Sequence, residues 1–235
     1  MSHHFLNFSQ VSYSYPDGMS AVRQLSLHIT HGERVALLGA NGAGKTTLLL
    51  LAAGLLRPTS GSISLGGVPI TQHTMHLVRQ NVGIVFQNPD NQLFMPTVRD
   101  DVAFGPVNMG LSDEEVARRV ECALRRVASL HLADRSPDTL SAGQKHAVAI
   151  ATTLATSPNI LLMDEPSAGL DPRARRRLIE LVRCFDHTCI IATHDMEMAR
   201  ELCPRAIVMC EGSALCDAPT DAVLSDSALL DRAGL

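Results

Sequence analysis

Three observations predict an α/β fold for this 235-residue chain. Strand-like and helix-like runs alternate at both ends of the sequence. A glycine-rich loop joins one apolar run to a helical one, and the stretch between Gln87 and Leu140 reads as mostly helical. Together these predict an α/β core carrying an inserted helical lobe.

The elements follow in order. Apolar runs of strand length occur at Phe5–Val11, Leu25–Ile29, Arg34–Leu38, Ser62–Leu65, Val82–Phe86, Ile160–Met163, Thr188–Ala192 and Ala206–Met209. Helical periodicity appears at Thr46–Leu56, Asp113–Ser129, Gly143–Thr156, Arg173–Phe185 and Met196–Leu202. Ser112 before Asp113-Glu114-Glu115 predicts an N-cap with acids in the first turn, where the helix dipole favours them. "PRARRR" at Pro172–Arg177 opens a helix whose basic residues are expected on a solvated face.

Composition excludes several classes. With 46% hydrophobic and 19% charged residues the chain reads as globular, and a net charge of −4 argues against a sequence-independent hold on nucleic acid. "TLLLLAAGLL" at Thr47–Leu56 is about half the length that spans a bilayer, and no signal peptide is visible. Six scattered cysteines without a Cys-x-x-Cys pair are expected to be reduced thiols. The pairs His3/His4 and His73/His76 have metal-compatible spacing but no third ligand type nearby, so metal binding there is not expected.

"GANGAGKTT" is the strongest chemical signal. Gly39, four residues, then Gly44-Lys45-Thr46 fits the phosphate-loop spacing in full, with a strand before it and a helix after it. Glycines let successive N–H groups of Gly39, Ala40, Asn41, Gly42, Ala43 and Gly44 turn toward a polyphosphate. The helix end carrying Thr46 and Thr47 adds its positive pole. Lys45 supplies charge to the β- and γ-phosphates, and the Thr46 hydroxyl is a Mg²⁺ ligand. The loop therefore predicts a nucleoside triphosphate site.

"ILLMDEPSAGLD" places Asp164 at the carboxyl end of a buried strand, where open α/β sheets hold ligands. Asp164 is the expected Mg²⁺ carboxylate. Strand alternation points Glu165 the other way, as a candidate general base for an attacking water. "IIATHD" repeats the arrangement with His194 at a strand end, a candidate for contact with the γ-phosphate or the base.

With these residues in place, the chain resembles the ATPase subunits of ATP-binding cassette (ABC) transporters over about Phe5–Thr220. The resemblance implies a P-loop core of mixed β-sheet with flanking helices, an antiparallel β subdomain and an inserted helical subdomain. It implies one domain over 1–235, with the core at about 1–88 and 158–235 and the helical part at about 89–157. It makes Gln87 the glutamine that reaches Mg²⁺ and the attacking water. "LSAGQ" at Leu140–Gln144 becomes the signature, Asp164 and Glu165 the acidic pair, Ser167–Asp171 the D-loop and His194 the switch histidine. Tyr15, thirty residues before Lys45, matches the aromatic on which adenine stacks, with Tyr13 as its rival.

The family works as head-to-tail pairs. Ser141, Gly143 and Gln144 lie too far along the chain to reach their own Lys45-bound phosphate, so they are expected to meet the γ-phosphate of a facing module. A second copy is expected as partner rather than a paralogue. The chain departs from the family pattern at Ala142, commonly Gly, and at Ala147, commonly Arg. A helical Ala142 would be harmless.

"QNPDNQLF" at Gln87–Phe94 is similar to the ATPases of energy-coupling-factor (ECF) importers, as are "YSYPDG", "VRDDVAFGPVNMGL" and the closing "LLDRAGL". This implies a membrane coupling protein docking on Leu93 and Phe94, a substrate-binding membrane subunit, and a place on the cytoplasmic face of the membrane. "IIATHDMEMARELCPRAIVM" is most like the ATPases of cobalt and nickel systems, with vitamins such as biotin as the alternative cargo. A soluble ABC ATPase of DNA maintenance or translation is disfavoured. The former needs a long coiled coil after Gln87 and the latter a second cassette.

Overall fold

The structure, a computed structural model, describes residues 5–235. The pair His3/His4 lies outside them. Two sheets organise the chain. Strands β1 (Leu6–Ser14), β2 (Ser20–Ile29), β4 (Ser60–Leu65) and β5 (Val68–Pro69) form an antiparallel sheet in the order β2-β1-β4-β5. The second sheet contains β3 (Arg34–Leu38), β6 (Val82–Val85), β7 (Ile160–Asp164), β8 (Thr188–Ala192), β9 (Arg205–Cys210) and β10 (Ser213–Pro219). Its order is β10-β9-β3-β8-β7-β6, with only β10 antiparallel. Strands β7 and β8 are buried at every position, as a covered parallel sheet requires.

The helices are α1 (Lys45–Ala52), α2 (Met75–Asn81), α3 (Val98–Asn108), α4 (Asp113–Arg126), α5 (Ala142–Ala155), α6 (Pro172–Arg183), α7 (Met196–Leu202), α8 (Thr220–Ser225) and α9 (Ser227–Ala233). Helices α3, α4 and α5 pack on one another, and their apolar residues join one face of the larger sheet in a single cluster. Leu124, Val148 and Ala151 from the helices belong to the same cluster as Leu161 and Met163 from β7. The other face packs with α1 against the antiparallel sheet.

Several expectations change at element ends. Helix α1 stops at Ala52, four residues before the predicted end at Leu56. Gly54 adopts φ +69° and the N–H groups of Gly54 and Leu55 turn back to Leu51 and Leu50, closing the helix as a Schellman turn. Ser112 caps α4 and Asp171 caps α6 through their side chains. Of the arginines in Pro172–Arg177, Arg173, Arg176 and Arg177 are exposed, while Arg175 is engaged bidentately by Asp195 at 2.9 and 3.0 Å. At the other histidine pair, His76 Nδ1 donates to the His73 carbonyl at 3.1 Å.

Candidate functional site

The carboxyl ends of β3, β8, β7 and β6 lie side by side, and each leads into one group of the predicted site. After β3, Gly39 (φ 152°) and Gly44 (φ 100°) take left-handed conformations in close quarters. A Cβ on Gly39 would stand 2.4 Å from the Met209 carbonyl, and one on Gly44 would stand 2.3 Å from that of Ala21. Gly44 is the N-cap of α1 and offers no side chain to its first turn. The helix end therefore keeps its N–H groups available to an anion. Lys45 is folded back onto its own loop, with Nζ donating to the carbonyls of Gly39 (2.6 Å) and Ala40 (3.1 Å).

Two carboxylates close the other side. The Thr46 hydroxyl donates to Asp164 Oδ2 at 2.8 Å, while Asp164 Oδ1 is buried with no hydrogen-bond partner among the described residues. Burial pushes the Asp164 carboxyl up; the Thr46 hydroxyl pulls it back, neighbouring Glu165 adds to the rise and Lys45 opposes it. An unsatisfied buried oxygen beside a hydroxyl is a place that favours a bound cation. The donor set of Asp164 and Thr46 therefore fits Mg²⁺.

Glu165 corrects one expectation. Strand alternation would turn it away from Asp164, but its backbone enters the left-handed region at φ 45°. That conformation costs a non-glycine residue roughly 1–2 kcal/mol. The Glu165 N–H donates to the Ala192 carbonyl at 2.8 Å, which holds the turn against β8. The result is that Asp164 and Glu165 both line one cavity. Glu165 Oε2 accepts from His194 Nδ1 at 2.9 Å and from the His194 N–H at 3.3 Å. Its other oxygen, Oε1, lies 3.9 Å from Lys45 Nζ and has no hydrogen-bond partner among the described residues. An imidazole that donates from Nδ1 leaves Nε2 facing outward.

The cavity measures about 520 Å³ and is lined by Tyr15, Asn41–Thr47, Gln87, Asp164 and Glu165. Tyr15 donates to or accepts from the Thr47 hydroxyl at 3.0 Å. Tyr13 packs against the apolar cluster instead and meets Tyr15 edge-on, with ring centroids 5.0 Å apart. Gly39 and Ala40 reach the cavity through Lys45 and not as walls, and His194 reaches it through Glu165. The cavity also takes in Met19, Arg23 and Glu211, which sequence reasoning missed. Met19 precedes β2, Arg23 lies within it and Glu211 sits in the β9–β10 turn, and no spacing ties them to the glycine loop.

Ser141, Gly143 and Gln144 stand elsewhere, in a groove of about 670 Å³ between α5 and α6 that shares no lining residue with the first cavity. Ser141 caps α5 in a capping box: its hydroxyl accepts from the Gln144 N–H (3.3 Å), and Gln144 Oε1 accepts from the Ser141 N–H (2.9 Å). Ala142 is the first helical residue of α5, so the departure from glycine carries no backbone strain. Ala147 lines the groove, as do Asp171 and Glu180.

Comparison with known proteins places this geometry. The family model described as ABC transporter matches residues 22–168. The chain belongs to the ABC transporter family. A Geobacter sulfurreducens protein named as an ABC transporter ATP-binding protein is 52% identical over 98% of this chain and 92% of its own length. The energy-coupling factor transporter ATP-binding protein EcfA of Methanothermobacter thermautotrophicus is 43% identical over 98% of this chain and 76% of its own. The structure of cbiO1 from Clostridium perfringens, part of the ABC transporter complex cbiONQ, superposes with a TM-score of 0.84 at 38% identity, covering 97% of this chain and 94% of that one. The cassette MJ0796, solved as a dimer in a post-hydrolysis state bound to ADP and Pi, also gives 0.84, at 26% identity over 92% and 98% of the two chains. The chain is thus an ABC ATPase that binds and hydrolyses ATP as the ATP-binding subunit of an ABC transporter. Among the described residues no helix is long and apolar enough to cross a membrane.

Proposed function

We propose that this ABC ATPase energises an ECF-type importer of cobalt or nickel ions, working as a homodimer on the cytoplasmic face of the membrane. The convergence of Lys45, Asp164 and Glu165 on one cavity, with His194 bonded to Glu165, carries the hydrolytic part of the reading. Lys45 exchanges its loop carbonyls for the β- and γ-phosphate oxygens, and the amides from Gly39 to Thr47 cradle the polyphosphate. Tyr15 offers its face to the adenine. Asp164, Thr46 and Gln87 would hold Mg²⁺, which when bound supplies positive charge to the phosphate oxygens. Glu165 accepts a proton from the water whose oxygen attacks the γ-phosphorus, and the bond from that phosphorus to the bridging oxygen breaks to leave ADP. His194 holds the Glu165 carboxylate in line. Ser141, Gly143 and Gln144 donate to the γ-phosphate held by the facing copy.

The ECF part draws support from the EcfA relative, from the cbiO1 structure and from the surface after Gln87. There the expected pair divides: Leu93 is 8% exposed and belongs to the helical cluster, whereas Phe94 is 64% exposed. Phe94 meets Phe104 edge-on at 5.0 Å, and exposed Val107 follows on the same helix. This apolar patch is what a helix of a membrane coupling protein would cover. Labelled cobalt and nickel uptake in cells expressing the chain with its membrane companions tests the cargo. Uptake is expected, and Lys45→Ala should abolish it. Biotin uptake in its place would move the cargo to vitamins, and transport of neither would overturn the importer reading.

A further inference from the structure

Between exposed Phe94 and the start of α5 a run of hydrogen bonds and one ion pair ties the loop to the helix. Asn88 Oδ1 accepts from the Asp90 N–H at 3.0 Å, which tightens the single 3₁₀ turn Pro89–Asn91. Lys145, the residue after Gln144, donates to Asp90 Oδ1 at 2.6 Å. Gln92 then inserts its carboxamide against the middle of α5. Its nitrogen is placed to donate to the Ala149 carbonyl (2.8 Å) and to the hydroxyls of Thr152 (2.8 Å) and Thr153 (3.0 Å). Its oxygen accepts from the Phe86 N–H at 3.3 Å, at the end of β6. Thr153 donates onward to the Ile84 carbonyl at 3.0 Å. Asp101 of α3 fixes the far side of the loop, with one oxygen accepting from the N–H groups of Phe94 and Met95, each at 3.0 Å.

From this geometry we infer that Asp90, Gln92 and Lys145 are positioning residues that make the docking loop and helix α5 move as one body. The inference rests on the reading that α5 presents Ser141 and Gln144 to the γ-phosphate of a facing copy. The ion pair sits one residue from Gln144, and Gln92 grips α5 one to two turns further on, so the loop is fixed to the helix at two separated points. A body held at two points can turn only about the line that joins them, and the Asp101 bonds to Phe94 and Met95 add a third hold. Displacement of Phe94 by a membrane partner therefore carries the donor end of α5 with it, and the same link returns the pairing of cassettes to the membrane side. Asp90 and Lys145 are of opposite charge and their contact is local, so exchanging them preserves the link while each single reversal turns it into a repulsion.

The test uses the full chain in a hydrolysis-blocked Glu165→Gln background, with ATP-driven pairing measured by analytical ultracentrifugation and nucleotide affinity measured separately on the same proteins. Asp90→Lys and Lys145→Asp are each expected to weaken pairing about tenfold with nucleotide affinity unchanged. The double exchange is expected to restore pairing to within about twofold. Gln92→Met in the otherwise unchanged chain should lower kcat while leaving KM in place, with the melting temperature and the stoichiometry of nucleotide binding equal to the parent's, which a general loss of structure would reduce. Pairing that ignores both single reversals, or a double exchange no better than the sum of its parts, would overturn the inference while leaving the proposed function intact. A Glu165→Gln chain that binds ATP and fails to pair would overturn both.

Discussion

Charge is handled in opposite ways in the cavity under the glycine loop and in the groove at the start of α5 of this ABC ATPase. Under the glycine loop, Lys45, Asp164 and Glu165 are nearly inaccessible, and two carboxylate oxygens lack hydrogen-bond partners among the described residues. In the groove at the start of α5, Ser141, Asp171, Arg173 and Arg177 stand in solvent, and the helix end is satisfied by its own capping box. Buried, unsatisfied charge is costly unless a ligand completes it. An exposed, self-capped helix end is stable alone and gains only when a second surface displaces its internal bonds. On the proposed function the first cavity holds a nucleotide within one chain, and the second meets a surface supplied by another.

The largest effect should come from the buried side. Glu165→Gln keeps the shape of the side chain but removes the proposed proton acceptor, and is expected to slow steady-state hydrolysis roughly 10²–10⁴-fold while nucleotide binding survives. Unchanged turnover would remove Glu165 from the role. Lys45→Ala removes a charge-assisted donor and should weaken ATP affinity about 10–100-fold by equilibrium titration. Affinity within twofold of the parent would show that the loop amides bind the polyphosphate without it.

On the exposed side the effects should be smaller. Ala142→Gly is expected to change turnover less than about threefold and to lower stability by up to about 1 kcal/mol, because glycine is a poorer helix former at a helical position. A tenfold rise in ATPase would show that the signature needs a conformation alanine resists. His146, beside the signature, is buried and its pKa is depressed by that burial. Above pH 6.5 the ring is neutral in both the folded and unfolded chain, and its contribution to stability is complete. As pH falls below 6.5 the unfolded chain takes up a proton that the folded chain refuses, so stability declines down to the lower folded pKa. Melting temperatures followed from about pH 7 to about pH 5 should fall less for His146→Gln than for the parent. Equal slopes would contradict this.

Much of this architecture was legible because it rests on local signals. The glycine loop, the strands ending at Asp164 and Ala192, and the cap at Ser112 each follow from a few adjacent residues. What stayed hidden depends on contacts between distant parts. The β10 strand carries no fully buried residue and pairs only at the sheet edge, so its pattern is weak. Helix α3 contains Gly105 and Pro106, which break its periodicity. The left-handed turn at Glu165 is held by β8, and Arg23 from strand β2 and Glu211 from the β9–β10 turn enter the first cavity from places far apart in sequence. The split between Leu93 and Phe94 could not be read from two adjacent apolar letters, since only the packing of α3 to α5 decides which one is covered.

The most direct test of whether the two cavities complete each other is the ATP-dependent association state of Glu165→Gln, compared with Glu165→Gln carrying Ser141→Arg. The first protein is predicted to be dimeric with ATP and monomeric with ADP, and the second to bind ATP with the same affinity yet remain monomeric. A dimer that tolerates Ser141→Arg, or a monomer of the parent chain that hydrolyses ATP at full rate, would contradict the account.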